Sequence, residues 1–244
     1  MILQPRDIQI LKFVYACRVV SFKQIRRKFF TNNTKCIPYR RILGLISDRY
    51  LDVRCEKKKN YFEKLVSLTE LGWKTICDQW SFEIDNPLFK SDSIFHDLRI
   101  NEILFRLEKL KCFRQYLTEN LLQSSSEIQN DIKFRDLSKL YADGALVLNG
   151  TSGRIFVYGV ELEISKKSPE RYIEKLSSYY RADGIDGVLY VVSDQQIYDA
   201  LVRANSEVCK NQDSILYLAL EADVLNESSN STIFKNGVKN LELS

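Results

Sequence analysis

Tyr158-Gly-Val-Glu-Leu-Glu-Ile-Ser-Lys-Lys167 decides how the chain is read. Strand alternation puts Glu161, Glu163 and Ser165 on one face and Val160, Leu162 and Ile164 on the other. Two carboxylates on one face, followed by two lysines, fit either a divalent-cation site or the solvated face of an ordinary strand. The flanking segments favour a sheet. Residues 154–164 read as one strand and residues 141–148 as another, and Asn149-Gly-Thr-Ser-Gly153 joins them as a hairpin. Downstream, Ser168-Pro169 opens a helix with a good cap and proline at its first position. Gly187-Val-Leu-Tyr-Val-Val192 is a strand of the fully buried kind. Residues 197–204 read as a helix and residues 215–220 as a last strand. Upstream, residues 96–110 form an amphipathic helix with Ile100, Ile103, Leu104 and Leu107 in its stripe, and residues 113–118 a strand. The order is α-β-β-β-α-β.

Composition sets the limits. The chain has 244 residues, 45% of them hydrophobic and 28% charged, enough for a packed core in one large domain or two small ones. No run approaches the roughly 18 apolar residues of a membrane span. The N-terminus has no basic stretch followed by an apolar core, so no secretion signal is expected. Cysteines stand at 17, 36, 55, 77, 112 and 209 without a C-x-x-C pair, and His96 is the only histidine. Zinc needs clustered ligands, so none is expected, and the thiols read as reduced in a cytoplasmic protein. The net charge of +4 hides an asymmetry: residues 1–80 carry 17 Lys and Arg against 7 Asp and Glu, and the remainder 19 against 25. A basic front and an acidic back suggest two domains with different partners.

The front has the order of a winged helix. Residues 5–17 form a buried first helix with Pro5 near its start. Ser21 and Gln24 have capping-box spacing ahead of a second helix carrying Arg26, Arg27 and Lys28. In the third, residues 39–49, Ile42, Leu45 and Ile46 share one face, and Arg40 and Arg41 stand at the start, where groove contacts are made. Residues 50–56 and 61–68 read as a hairpin around Lys57-Lys-Lys-Asn60, a basic wing, and Thr69 begins another helix. Lys57, Lys58 and Lys59 are cations placed to neutralise phosphates. A winged helix can also serve only to hold a partner protein. The pattern R-R-I-L-x-L-I-S-D-R-Y-L (40–51) with L-T-E-L-G (68–72) resembles winged-helix families of bacterial regulators and of plasmid replication or mobilisation proteins.

The chain therefore divides into a winged helix-turn-helix over 1–80, an aperiodic linker over 81–92 containing Asn86-Pro87, an α/β domain over 93–225, and a tail from 226 to 244 rich in Ser and Asn. Residues 121–133 read as a long loop that could order only when substrate binds.

The order of the back, with acids on its second and third strands, resembles the PD-(D/E)XK nuclease superfamily, whose fold is α/β of restriction-endonuclease type. The resemblance implies that Asp143, eighteen residues before Glu161, joins Glu161 and Glu163 around Mg²⁺ or Mn²⁺. Such hard cations prefer oxygen ligands and keep waters for use as nucleophile. Without a cation, three clustered acids would repel and one would take up a proton. The superfamily usually has lysine two residues after the middle acid. Glu163 occupies that place here, so the resemblance points to Lys166, Lys167 or Lys175 as the substitute. It also points to Glu102 on the first helix, although Glu102 lies away from the apolar stripe. His96 reads as a cap or core residue.

H-D-L-R-I-N-E-I (96–103), Y-A-D-G-A-L (141–146) and G-V-E-L-E-I-S-K-K-S-P-E-R-Y-I-E-K-L-S-S-Y-Y (159–180) together resemble the plasmid replication-relaxation proteins, above all the MobC-type relaxases of mobilisable plasmids. The resemblance spans about residues 5–195. It implies an enzyme that binds a plasmid transfer origin through its winged helix and nicks one strand with a metal-dependent domain, alongside an accessory mobilisation protein and a coupling ATPase. The relaxases built on a histidine triad are excluded by the single histidine. Lys166 or Lys175 would then stabilise charge developing on the phosphate. Tyr179 and Tyr180 could join covalently to DNA, but their spacing with Ile173 and Leu176 favours core packing. The rival expectation is a regulator or replication factor that binds DNA without cutting it. A restriction-type enzyme would make double-strand cuts.

Overall fold

A computed structural model of the chain describes residues 2–30, 36–57, 62–150, 153–210, 213–226, 231–236 and 240–243. It is a mixed α/β protein that divides into two compact units, Met1–Glu102 and Ile103–Ser244. Among the described residues no helix is long and apolar enough to cross a membrane.

The first unit opens with α1 (Pro5–Cys17). Gln4 caps it, Pro5 takes the first turn, where a missing N–H costs nothing, and Asp7 bonds back to the Gln4 N–H. Ile10, Leu11 and Val14 are buried on one stripe. The two-residue strand β1 (Val20–Ser21) leads into α2 (Phe22–Phe29), where Ser21 and Gln24 close the expected capping box. Then come α3 (Cys36–Ser47), β2 (Leu51–Lys57), β3 (Phe62–Leu68) and α4 (Glu70–Ile76), the last capped by the Thr69 hydroxyl. β2 and β3 pair antiparallel from Leu51–Leu68 to Lys57–Phe62, and β1 pairs with the other side of β3. β2 is an edge strand exposed from Asp52 to Cys55.

Residues 81–92 belong to this unit rather than to a free linker. Phe89 packs edge-on against Tyr15 and Trp73, at 6.1 Å from each ring, and Phe82 packs on Trp80. An aperiodic segment can be held by its aromatic residues, and periodicity does not register that. The division falls inside α5 (Ile94–Leu107).

The second unit is built on one mixed sheet. Its elements are β4 (Phe113–Thr118), the short helices α6 (Glu119–Ser124), α7 (Ser126–Asn130) and α8 (Arg135–Lys139), β5 (Gly144–Asn149), β6 (Ile155–Glu163), α9 (Pro169–Tyr180), β7 (Gly187–Val192), α10 (Gln195–Val208), β8 (Leu216–Leu220), α11 (Glu221–Val224), β9 (Thr232–Lys235) and β10 (Asn240–Leu243). The strand order is β10-β9-β8-β7-β6-β5-β4. β4, β5 and β6 are antiparallel neighbours, β6, β7 and β8 are parallel, and β8, β9 and β10 return to antiparallel. Every residue of β7 is buried, as a central parallel strand requires. α9 and α10 pack together, and α10 lies on β7 and β8.

Two expectations are corrected here. The segment 121–133 is not a loop awaiting substrate: most of it is α6 and α7, capped by the Thr118 and Ser125 hydroxyls. The tail beyond 226 is not all polar coil. β9 and β10 pair with each other and extend the sheet, and Phe234 of β9 is fully buried. One phenylalanine in a Ser- and Asn-rich run is a weak hydropathy signal but a sufficient anchor.

Candidate active site

The site grows from β6 and the helix that follows it. Ligands of open α/β sheets collect beyond the carboxyl ends of parallel strands, and Glu161 and Glu163 lie at that end of β6. Ser168 caps α9, its hydroxyl accepting from the Arg171 N–H at 3.4 Å, and Pro169 takes the first position. The chain thus turns straight from β6 into α9 and carries Arg171, Tyr172, Lys175 and Tyr179 back along the strand end.

Gly159 makes this turn-back tight. A β-carbon there would lie 2.9 Å from the Leu137 side chain and 3.2 Å from the Tyr179 ring. Tyr179 therefore sits against bare backbone, fully buried, and its hydroxyl donates a short hydrogen bond to Glu161 Oε1. Lys175 Nζ stands 3.0 Å from the same oxygen and also donates to the Leu140 carbonyl at 2.6 Å. Asp143 comes from the other side. The register Gly144–Val160 places it opposite Glu161 at the next step of the antiparallel pair, and its Oδ2 accepts from the Leu162 N–H at 2.7 Å.

The electrostatics follow from burial. Glu161 is 9% exposed. Its carboxyl is pushed up to about 7: burial raises it most, Lys175 and the Tyr179 hydroxyl lower it, and the Asp143 charge raises it further. Burial likewise raises the Tyr179 and Tyr190 hydroxyls well above the ordinary tyrosine value, so both stay protonated donors.

Glu161 and Glu163 open onto a cleft of about 330 Å³. Lys139, Lys167, Arg171 and Lys175 supply cations to its wall, Glu174 a third carboxylate, and Tyr172, Tyr190 and Ser178 hydroxyls. Leu140 completes the lining. Glu163 accepts from the Ser165 N–H at 3.3 Å and pairs with Lys167 at 3.4 Å. The Lys167 N–H in turn donates to the Tyr172 hydroxyl at 3.0 Å.

Several expected site residues are elsewhere. Lys166 is exposed and does not line the cleft, and its charge acts on Asp194; Lys167 takes the position, because the chain bends after β6. Glu102 is committed within the first unit, to Gln24 at 2.9 Å and Arg27 at 2.5 Å, so it serves that unit's packing. Tyr180 donates to Asn205 at 2.8 Å. Asp143, Glu161 and Glu163 all act on the Tyr190 hydroxyl, yet among the described residues no three His, Cys, Asp or Glu side chains form a metal-holding group. Glu163 turns to Ser165 and Lys167, which leaves Asp143 and Glu161 as the adjacent pair. Their oxygen chemistry fits a hard cation, as a two-carboxylate site completed by water.

The basic residues of the first unit also divide. Arg26, Arg40 and Lys57 are exposed. Lys28 is half-buried with its ammonium 5.1 Å above the Phe13 ring. Arg27 is engaged by Glu102. Arg41 forks onto Asp7, its Nε 2.7 Å from Oδ1 and its Nη2 in a short contact with Oδ2. Neither is a spare cation, because each meets an acid distant in sequence. Lys58 and Lys59 lie outside the described residues. Sequence reasoning missed Lys139, Arg171 and Tyr172 in the cleft wall. The first turn of a helix leaving an acid-bearing strand was the available signal for Arg171 and Tyr172.

No protein-family model matches the chain, and no curated protein or solved structure does either.

Proposed function

We propose that the chain is a plasmid mobilisation relaxase of the MobC type. It binds a transfer origin through a winged helix-turn-helix and nicks one strand in a PD-(D/E)XK-like domain. The observation that carries this reading is the buried Glu161, adjacent to Asp143 and touched by Lys175, in a polar cleft at the carboxyl end of a parallel strand. Strongly shifted carboxylates in clefts concentrate at functional sites. A lysine reaching the middle acid from α9 supplies the charge that the usual strand position, here Glu163, does not.

Asp143 and Glu161 would hold Mg²⁺ or Mn²⁺. Such an ion, when bound, polarises a phosphate oxygen and lowers the pKa of its water. The chain's own residues have separate tasks. Tyr179 fixes the Glu161 carboxylate by donating to Oε1. Lys175, moved from Glu161 toward the phosphate, offsets charge that develops there. Lys139, Lys167 and Arg171 draw the DNA backbone into the cleft. Arg26, Arg40 and Lys57 hold phosphates of the duplex. Plasmid DNA is the substrate, and an accessory mobilisation protein and a coupling ATPase are the expected partners.

One observation favours a second reading. Lys175 already sits 3.0 Å from Glu161, and no third ligand joins Asp143 and Glu161 among the described residues. A winged-helix regulator or replication factor could keep the nuclease-like body without its chemistry. Incubation of the protein with supercoiled plasmid carrying its transfer origin, with Mn²⁺ or with EDTA, separates the two. Open circles that form only with metal, and not with Glu161→Ala, support the relaxase. Linear product indicates a restriction-type enzyme. Intact DNA binding with no cleavage, even when the accessory protein is added, supports the regulator.

A further inference from the structure

Tyr141 sits where the fold prefers glycine. It follows α8, with its backbone in the left-handed region at φ 51°. Its N–H donates to the Ser138 carbonyl and the Ala142 N–H to the Leu137 carbonyl, the paired bonds that end a helix when the next residue is left-handed. Glycine adopts that conformation freely, and a bulky side chain there is a genuine outlier. The ring is not repaid by burial, since Tyr141 is 66% exposed. A strained residue with an exposed aromatic ring calls for a role outside packing.

The neighbours supply that role. Lys139 and Leu140, immediately before it, line the cleft, and the Leu140 carbonyl holds Lys175. Asp143 lies two residues after it, bonded to the strand that carries Glu161. The turn that presents the ring is therefore the turn that supports the cation-bearing wall.

We propose that Tyr141 is a stacking platform for one unpaired base of the strand whose phosphate enters this cleft, a role that rests on the DNA-cleaving reading above. Single strands are held by cations tracking the backbone together with aromatic rings under the bases, a combination indifferent to base identity. Lys139 with Lys167 and Arg171 provides the first element, and Tyr141 the second. The hydroxyl takes no part, so the tyrosine acts as a positioning residue and forms no covalent bond to DNA.

The test compares the full chain with Tyr141→Gly and Tyr141→Phe, binding a fluorescent single-stranded oligonucleotide of transfer-origin sequence in EDTA. Tyr141→Gly is expected to bind about five- to a hundredfold more weakly, yet to melt about 1–3 °C higher through relief of the left-handed strain. Tyr141→Phe is expected to match the parent. An oligonucleotide abasic at the stacked position should erase the difference between parent and Tyr141→Gly. Unchanged binding in Tyr141→Gly, or a lowered melting temperature, overturns the inference, the second because it makes the ring a packing residue. These outcomes are independent of cleavage. Loss of nicking in every protein with the Tyr141 effect intact would overturn the nuclease and leave the platform standing.

Discussion

Asp7 and Glu161 are both buried carboxylates met by a long cation, and they behave in opposite ways. At Asp7 burial alone would raise the carboxyl, but the Arg41 fork and the Gln4 N–H hold it below the usual value. At Glu161 burial prevails: Lys175 offers a single ammonium, shared with the Leu140 carbonyl, and Asp143 adds a like charge nearby. A guanidinium matches both oxygens of a carboxylate at once, and an ammonium acts as a point charge. The first unit thus fastens its acid to hold α1 and α3 together. The second leaves its acid half-compensated, on the wall of a cleft.

Removing each cation sharpens the contrast. Arg41→Ala should be the most damaging change, costing about 3–5 kcal/mol of stability, because Asp7 is left as an unpaired buried charge. Lys175→Met should cost less, about 1–2 kcal/mol at neutral pH, because Glu161 can take up a proton instead. Denaturant unfolding of the two variants measures both, and an equal loss would break the comparison.

The pH dependence should carry opposite signs. Asp7 binds its proton less readily in the folded state, so its contribution is present above the ordinary aspartate pKa and is lost on acidification. Glu161 binds its proton more readily when folded. Its contribution is therefore full below the unfolded value of 4.5 and declines as pH rises toward about 7, at up to about 1.4 kcal/mol per pH unit. Glu161→Gln should remove that decline and be more stable than the parent at pH 8. A parent whose stability is flat from pH 5 to 7 would contradict the buried, under-satisfied carboxylate.

The smallest effects belong to the surface. Arg26→Ala, Arg40→Ala and Lys57→Ala should each lower the salt dependence of DNA binding by about one unit of slope and leave stability within about 0.5 kcal/mol. Salt titration of duplex binding reads this directly. If Arg27→Gln instead produces the largest fall in slope, its pairing with Glu102 is not what holds it.

Local chemistry explains what was legible beforehand. The caps at Ser21 and Ser168, the prolines that open α1 and α9 and the hairpin before β6 depend on neighbours in sequence, and they appear where expected. The Glu161 side of β6 followed from strand alternation alone. What escaped depends on contacts made across the chain. Arg41 and Arg27 read as spare cations until Asp7 and Glu102 meet them. Tyr179 read as core, which it is, but its hydroxyl reaches Glu161 only because Gly159 leaves room. Between Lys166 and Lys167, both expected as candidates, the bend after β6 brings Lys167 to the cleft, and no pattern encodes its direction. β9 and β10 were hidden in a polar run held by Phe234.

Manganese binding tests the central claim most directly. Electron paramagnetic resonance of free Mn²⁺, titrated with the full chain at pH 8 and again at pH 6, counts the ions bound to the protein. One ion per chain is expected at pH 8, with weaker binding at pH 6 as Glu161 takes up its proton, and none in Asp143→Asn or Glu161→Gln. No bound Mn²⁺ at pH 8, or binding that both variants retain, would contradict a cation site at Asp143 and Glu161 and leave Lys175 as the permanent partner of the buried acid.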